Sequence, residues 1–225
     1  MSIDQKNISL KQISDEEIII EIKNGNIEAY SEIVRRYNQR LYRIAVSYGV
    51  TDDDAEEVIQ LAYISAYEKL SQFRGEAKFS TWLIKILINE CLMLKRQQKR
   101  IVKIEESDNV TFSGDNHQNP EENYMNIERK EMLEEAVKRL PEKYRTVFIF
   151  KEIEGMSIEE ISDSLGISKV NVKVRLHRAK SMLKEDIKGI LHFSSLFTFG
   201  NERCDNMTEN VMDYIRNNKS AININ

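Results

Sequence analysis

Chain breakers are scarce. The 225 residues include only 8 Gly and 2 Pro, too few for a many-turned β architecture, and the shortage favours long helices. Long apolar runs are missing as well. The most apolar stretch, Trp82 to Leu94, carries Lys85, Asn89 and Glu90 and falls short of the ~20 residues a membrane span takes. It reads as a buried helix, and no membrane insertion is expected. The opening MSIDQKNISLKQ has no signal-peptide apolar core. Cysteine is nearly absent: Cys91 and Cys204 lie far apart, which points to a reduced cytoplasmic setting without excluding one disulfide. The histidines His117, His177 and His192 are scattered. No metal-spaced His or Cys cluster, GxxxxGK[ST] or GxSxG occurs, so neither an enzyme nor a cofactor is expected. Net positive charge is lacking too. At −4 overall, a nucleic-acid reader would have to gather its positive charge locally.

What is present is an ordinary globular balance, 41% hydrophobic and 31% charged, over a length that fits one or two domains. After a short N-terminal tail (1–13), residues 14–103 read as one helical unit. Ser14 followed by Asp15, Glu16 and Glu17 starts a helix. Ala29, Ile33, Val34, Tyr37, Leu41 and Ile44 continue at helical spacing until Gly49. Asp52 to Asp54 open another helix, with Val58, Leu61, Ala62, Ser65 and Ala66 on one face. A polar loop, SQFRGEAKFS, precedes the helix from Thr81, which ends in KRQQKR (95–100). Residues 104–127 carry acids, Asn, Ser, Gly114 and Pro120 but no Lys or Arg, the composition of an acidic, flexible linker. Residues 128–188 form a second helical unit. It has a helix near Glu128 to Arg139, another over Glu142 to Glu154, and then SIEEISDSLGIS. The fold class is therefore all-α, two helical domains joined by a linker and able to change relative orientation.

The strongest physical signal runs from Ser157 to Lys184. Ser157 and Glu160 match a capping box. Gly166 sits at a turn and Ser168 can cap the following helix, the layout of a helix-turn-helix. Ile158, Ile161 and Leu165 point one way in the first helix. Val172, Leu176, Ala179 and Leu183 make a stripe in the second. At about 100° per residue the opposite face centres on Val170, Val174 and His177, with Lys173 and Arg178 beside them. A core stripe backed by a basic outer face suits the DNA major groove. Arg175 and Lys180 lie nearer the flanks, where phosphates run. The plainer alternative is a solvated basic helix in any three-helix bundle.

The loop before Trp82 raises a second possibility. Exposed Phe73 and Phe79 would stack on unpaired bases while neighbouring cations hold the backbone. Equally, such aromatics belong to a core. At this point a resemblance enters. DAEEVIQLAYISAYEKLSQFRGEAKFSTWLIKILIN resembles the second conserved region of extracytoplasmic-function RNA polymerase sigma factors. LPEKYRTVFIFKEIEGMSIEEISDSLGISKVNVKVRLHRAKSML resembles their fourth. Order and spacing match over about residues 14–188. The resemblance implies a sigma factor that binds core RNA polymerase (β′ clamp helices and β flap) and directs promoter-specific transcription initiation, with an anti-sigma factor among its conceivable partners. By position it implies polymerase contacts for Asp54, Glu57 and Gln60. It implies a minus-ten capture loop formed by Phe73, Arg74, Gly75, Glu76, Ala77, Lys78 and Phe79, and minus-ten contacts at Lys85 and Asn89. It gives Lys173, Val174, His177 and Arg178 to the minus-thirty-five element. Leu61, where the family usually has an acid, and Glu90 beside Asn89 depart from the pattern.

The extension 189–225 has an aromatic, strand-like front half whose FSSLFTF run is expected to pack on the second unit. Met207, Val211, Met212 and Ile215 outline a short amphipathic helix, and the last residues are expected to be disordered. His192 and Cys204 alone make no zinc site. Two other functions fit parts of this pattern: a one-component regulator with an N-terminal sensor, and a helical adaptor that binds no DNA.

Overall fold

The computed structural model describes residues 13–105, 124–184, 193 and 196–218. No strand occurs among them. Helix α1 (Asp15–Lys23) starts on a capping box between Ser14 and Glu17 and buries Ile18, Ile19 and Ile22. After a 3₁₀ turn at Ile27–Ala29 comes α2 (Tyr30–Ser47), in which eleven of 18 residues are buried. Helix α3 (Asp52–Glu68) takes Thr51 as N-cap and places Asp52, Asp53 and Asp54 in its first turn, where the macrodipole favours acids. Helix α4 (Phe79–Glu105) runs back along α3 and α2. Buried tyrosines brace this bundle with their polar tips satisfied: Tyr30 donates to the Tyr63 carbonyl at 2.7 Å and Tyr63 to that of Val34 at 3.0 Å.

One side chain departs from the expected stripe. Leu61 is 45% exposed. The buried side of α3 centres on Ile59 and Tyr63, and Leu61 stands two residues, about 200°, from each. Val58, Ala62 and Ala66 are buried as expected.

The second unit comprises α5 (Tyr124–Arg139), α6 (Glu142–Phe148), α7 (Ile158–Leu165) and α8 (Lys169–Met182). The single helix expected over Glu142 to Glu154 is α-helical only to Phe148 and continues as a π-helical turn, Ile149–Ile153. Such a turn inserts a residue locally and re-aims the chain beyond it. Here it delivers Glu154, whose side chain is 7% exposed, to Arg43 of α2 at 3.1 Å. The ends of α4 and α5 encroach on the expected linker, and the rest of it, 106–123, lies outside the described residues. So do 185–188, toward which α8 is expected to run, the histidines His117 and His192, and the C-terminal 219–225.

The extension overturns one expectation. No strand forms in its described front half, and the FSSLFTF run does not pack on the second unit alone. Phe193 meets Phe148 of that unit edge-on at 5.6 Å, whereas Phe199 lies against Tyr42 of α2 at 5.2 Å. Helix α9 (Asn201–Asn217) packs on α2 and α3 of the first unit. Its buried residues, Met207, Thr208, Val211, Met212 and Ile215, include the expected amphipathic set. The reason is that the exposed side of α2 and α3 is itself apolar and needs a cover. Cys91 and Cys204 are both free, and burial pushes the Cys91 thiol up to about 12, leaving it inert.

Because Ile215 is fully buried, Ile215→Ala should lower the stability of the first unit by about 2–5 kcal/mol. Trp82, the chain's one tryptophan, reports that unit by its emission during urea unfolding. An unchanged midpoint would mean that α9 is a loose appendage.

Candidate nucleic-acid interface

Helices α7 and α8 meet at Gly166, whose φ of 63° is the left-handed conformation a glycine takes without strain. The Ser157–Glu160 capping box is formed, and Ser168 accepts from the Asn171 amide at 3.2 Å. The stripe is as the spacing predicts: Val172, Ala179 and Leu183 are buried, and Leu176 packs against the core. The outer face is open. Val170 is 71% exposed, Val174 45%, and Lys173, His177 and Arg178 are exposed as well. Among the described residues Arg178 pairs with no acid; its Nη1 donates to the Tyr144 hydroxyl at 3.1 Å, and this bond draws the phenol below its usual pKa. Arg175 donates to Asn171 at 3.0 Å. Lys180 is held by Glu152 at 2.9 Å, so a phosphate would have to compete for it.

In the first unit the loop divides in two. Arg74, Gly75, Glu76, Ala77 and Lys78 are exposed, while Phe79 is buried and Phe73 half-buried. Phe73, Phe79 and Trp82 form one aromatic cluster with centroids 5.4–5.6 Å apart. Phe79 therefore anchors the loop, and the open part lies between the two rings. Lys85 and Asn89 are exposed two turns and three turns into α4, and Glu90 turns aside to accept from Ser65 at 3.2 Å.

On α3, Asp54 accepts from Thr51 at 2.8 Å and from Gln98 of α4 at 3.1 Å, so it braces two helices as well as facing outward. Glu57 is exposed and, among the described residues, unpartnered, beside half-buried Gln60 and exposed Leu61. Lys78, from the loop, reaches across to Glu160 of α7 at 2.8 Å. Neither that bridge nor the Tyr144 contact is signalled by sequence spacing, because each joins residues far apart in the chain.

The Sigma-70 region 2 family matches residues 33–101, and Sigma-70, region 4, matches residues 130–183. These are the two units just described, in that order. The chain belongs to the extracytoplasmic-function sigma factors. It is 26% identical over 188 residues to the ECF RNA polymerase sigma-E factor of Haemophilus influenzae, covering 80% of this chain and 99% of that one. To the ECF RNA polymerase sigma factor SigW of Bacillus subtilis it is 28% identical over 179 residues, covering 76% and 96%. In fold it resembles the sigma factor RpoE of Bartonella quintana, solved in complex with the anti-sigma factor NepR (TM-score 0.56, 22% identity, 74% of this chain and 99% of that one). CnrH, solved in complex with the cytosolic domain of CnrY, is similar to the same degree (TM-score 0.55, 22% identity, 79% and 99%). As a sigma factor the chain directs promoter-specific transcription initiation.

Glu160 of this sigma factor is the most strongly perturbed acid of the site. The Lys78 ammonium, then the Ser157 amide, hold its carboxyl near 2, against an ordinary 4.5. A lowered folded-state value stabilises the fold above the ordinary value, and the contribution is lost as pH falls from 4.5 to about 2. Urea unfolding of the native chain and Glu160→Gln should therefore differ most above 4.5 and converge toward pH 2. A difference independent of pH would remove the charge of Glu160 from the account.

Proposed function

We propose that this sigma factor docks on core RNA polymerase through the outward side of α3, reads the minus-ten element with the Arg74–Lys78 loop and α4, and reads the minus-thirty-five element with α8. The observation that carries this reading is the outer face of α8: basic, solvent-open and backed by a complete core stripe, on a chain whose other unit is sigma region 2. A cation and an apolar side chain side by side suit a groove that offers guanine acceptors and thymine methyls. On that face Lys173 and Arg178 flank His177, and Val174 is near enough for the methyl contact. Arg175 and Lys180 meet phosphates.

On α3, Glu57 and Gln60 face the β′ clamp helices. Asp54 contributes there while also tying α3 to α4, and Leu61 adds an apolar contact at a position where the family resemblance leads to the expectation of an acid. On α4, Lys85 and Asn89 lie along the strand beyond the loop, and Phe73 stacks on a base once it is extruded. The second unit also faces the β flap. Opening is powered by binding and base capture and uses no covalent chemistry or cofactor. The site of action is the cytoplasm, where polymerase and chromosome are. No helix of the described residues is long and apolar enough to cross a membrane. The RpoE and CnrH complexes make an anti-sigma partner part of the reading.

A pull-down with core polymerase tests the first step. Glu57→Lys should lose core binding with its melting temperature unchanged, because Glu57 supports nothing else; retention of full binding would take it out of the interface. For the last step, Arg178→Ala should cost about 1–3 kcal/mol in promoter affinity and relax preference at one base position. Lys180→Ala should weaken all sequences alike and flatten the salt dependence. A binding-site selection on both variants reads the difference, and an unchanged profile for folded Arg178→Ala would exclude it from base reading.

A further inference from the structure

The sigma-factor function leaves two parts of the chain unused, α9 and the segment ahead of it. Helix α9 is tied to the first unit along its length. Beyond its buried apolar side, Arg203 pairs with Glu56, Asn38 donates to the Cys204 carbonyl at 3.1 Å, and Arg216 reaches Glu28 at 2.7 Å.

The preceding residues touch both units at once. The Phe197 amide donates to Glu134 of α5 at 2.7 Å, and the Phe197 carbonyl accepts from Gln39 of α2 at 2.6 Å. The Phe199 amide returns to the same Gln39 side chain at 2.8 Å. Arg43 of α2 donates to the Leu196 carbonyl at 2.9 Å while pairing with Glu154 of the second unit. Phe193 adds its ring contact with Phe148. Phe197 itself sits at φ 52°, a left-handed conformation costly for a bulky residue and kept only where surrounding contacts impose it.

The arrangement so held brings the second unit against the first unit's reader while leaving the Arg74–Lys78 loop exposed. Helix α7 lies on α4, and Glu160 takes the ammonium of Lys78, in the loop assigned to minus-ten DNA. Elsewhere the units share one continuous apolar core and add polar contacts: Arg145 and Thr146 donate to the Ser47 carbonyl at 2.9 and 3.2 Å, and Lys95 pairs with Glu142. A cleft of about 510 Å³ lined by Tyr42, Asp52, Lys138, Arg145 and Phe197 remains between them. Motion is required, because elements named minus-ten and minus-thirty-five lie about 25 base pairs, or roughly 85 Å of duplex, apart at ~3.4 Å per base pair.

We propose that Phe193 and residues 196–199, anchored by α9, form an intramolecular clasp that holds this sigma factor closed, its two reading units too near each other to span both promoter elements until the clasp opens. The inference rests on the sigma-factor reading of α4 and α8 and adds its regulation. Gln39 and Glu134 lie outside α3, the Arg74–Lys78 loop, α4 and α8, the elements given named contacts to polymerase or DNA.

The test uses the full chain and a Gln39→Ala/Glu134→Ala double variant, which leaves the apolar side of α9 in place. Zero-length carbodiimide coupling, mapped by mass spectrometry, measures the Lys78–Glu160 cross-link. Core pull-down and promoter transcription at limiting sigma factor are then measured on the same proteins. In the variant the cross-link should fall several-fold and transcription should rise several-fold, with core binding kept. An undiminished cross-link, or a lost cross-link without a rise in transcription, overturns the clasp. If neither protein binds core, the sigma-factor reading fails, and the regulation of promoter reading fails with it. Should the double variant unfold, Phe193→Ala, which removes only the ring contact with Phe148, is measured in its place against the same outcomes.

Discussion

Helix α2 is packed on every side, and the rest of the structure is arranged around that fact. Within the first unit it meets α1, α3 and α4; α9 covers another face; and α6 with the π-helical turn closes the remainder. A helix so enclosed has to be apolar nearly all round or to pair its polar groups. It does both. Ile33, Val34, Leu41 and Ile44 serve the bundle, while Arg40 and Arg43 converge on Glu154 at 3.5 and 3.1 Å. The Arg40 contact is one of charge without hydrogen-bond geometry, since its Nε has no hydrogen-bond partner. Burial raises the Glu154 carboxyl against the pull of Arg43. A pair of this sort adds little net stability but makes separation of its partners specific and costly.

That the same helix serves both units gives the two surfaces proposed to read DNA a shared mechanical base. Loop 73–79 hangs from an aromatic cluster that also includes Tyr37 of α2, 6.2 Å from Phe79. The helix-turn-helix rests on α6, which bonds to the last turn of α2 through Ser47. Exposed polar bridges at the periphery, such as Lys78–Glu160, can exchange partners without disturbing the core that the units share.

The helix-turn-helix was legible almost residue by residue, because its signals are local. A capping box, a left-handed glycine and a four-three-four stripe all lie within one window of sequence, and periodicity then gives the outer face. The proposed polymerase side of α3 rests on resemblance alone, since an exposed Glu57 looks like any solvated acid. Contacts set by packing between distant segments escaped. Leu61 falls within the expected stripe only because three neighbouring apolar residues suggest the wrong centre for the buried side. The π-helical turn has no signature in IFKEI. The destination of α9 could not be read either, since an amphipathic helix announces that it needs a partner and not which one.

The docking of α9 also has a consequence for how the protein is made. Its buried side completes the wall of the first unit, yet it leaves the ribosome about 100 residues after α4. At ~5–20 residues per second that is roughly 5–20 s. During this interval α2 and α3 have emerged with one apolar side bare, while the second unit forms from its own mostly local contacts. The nascent first unit is thus open to aggregation or chaperone capture until α9 has emerged, and its final closure depends on contacts of very high sequence separation, the slowest kind to form.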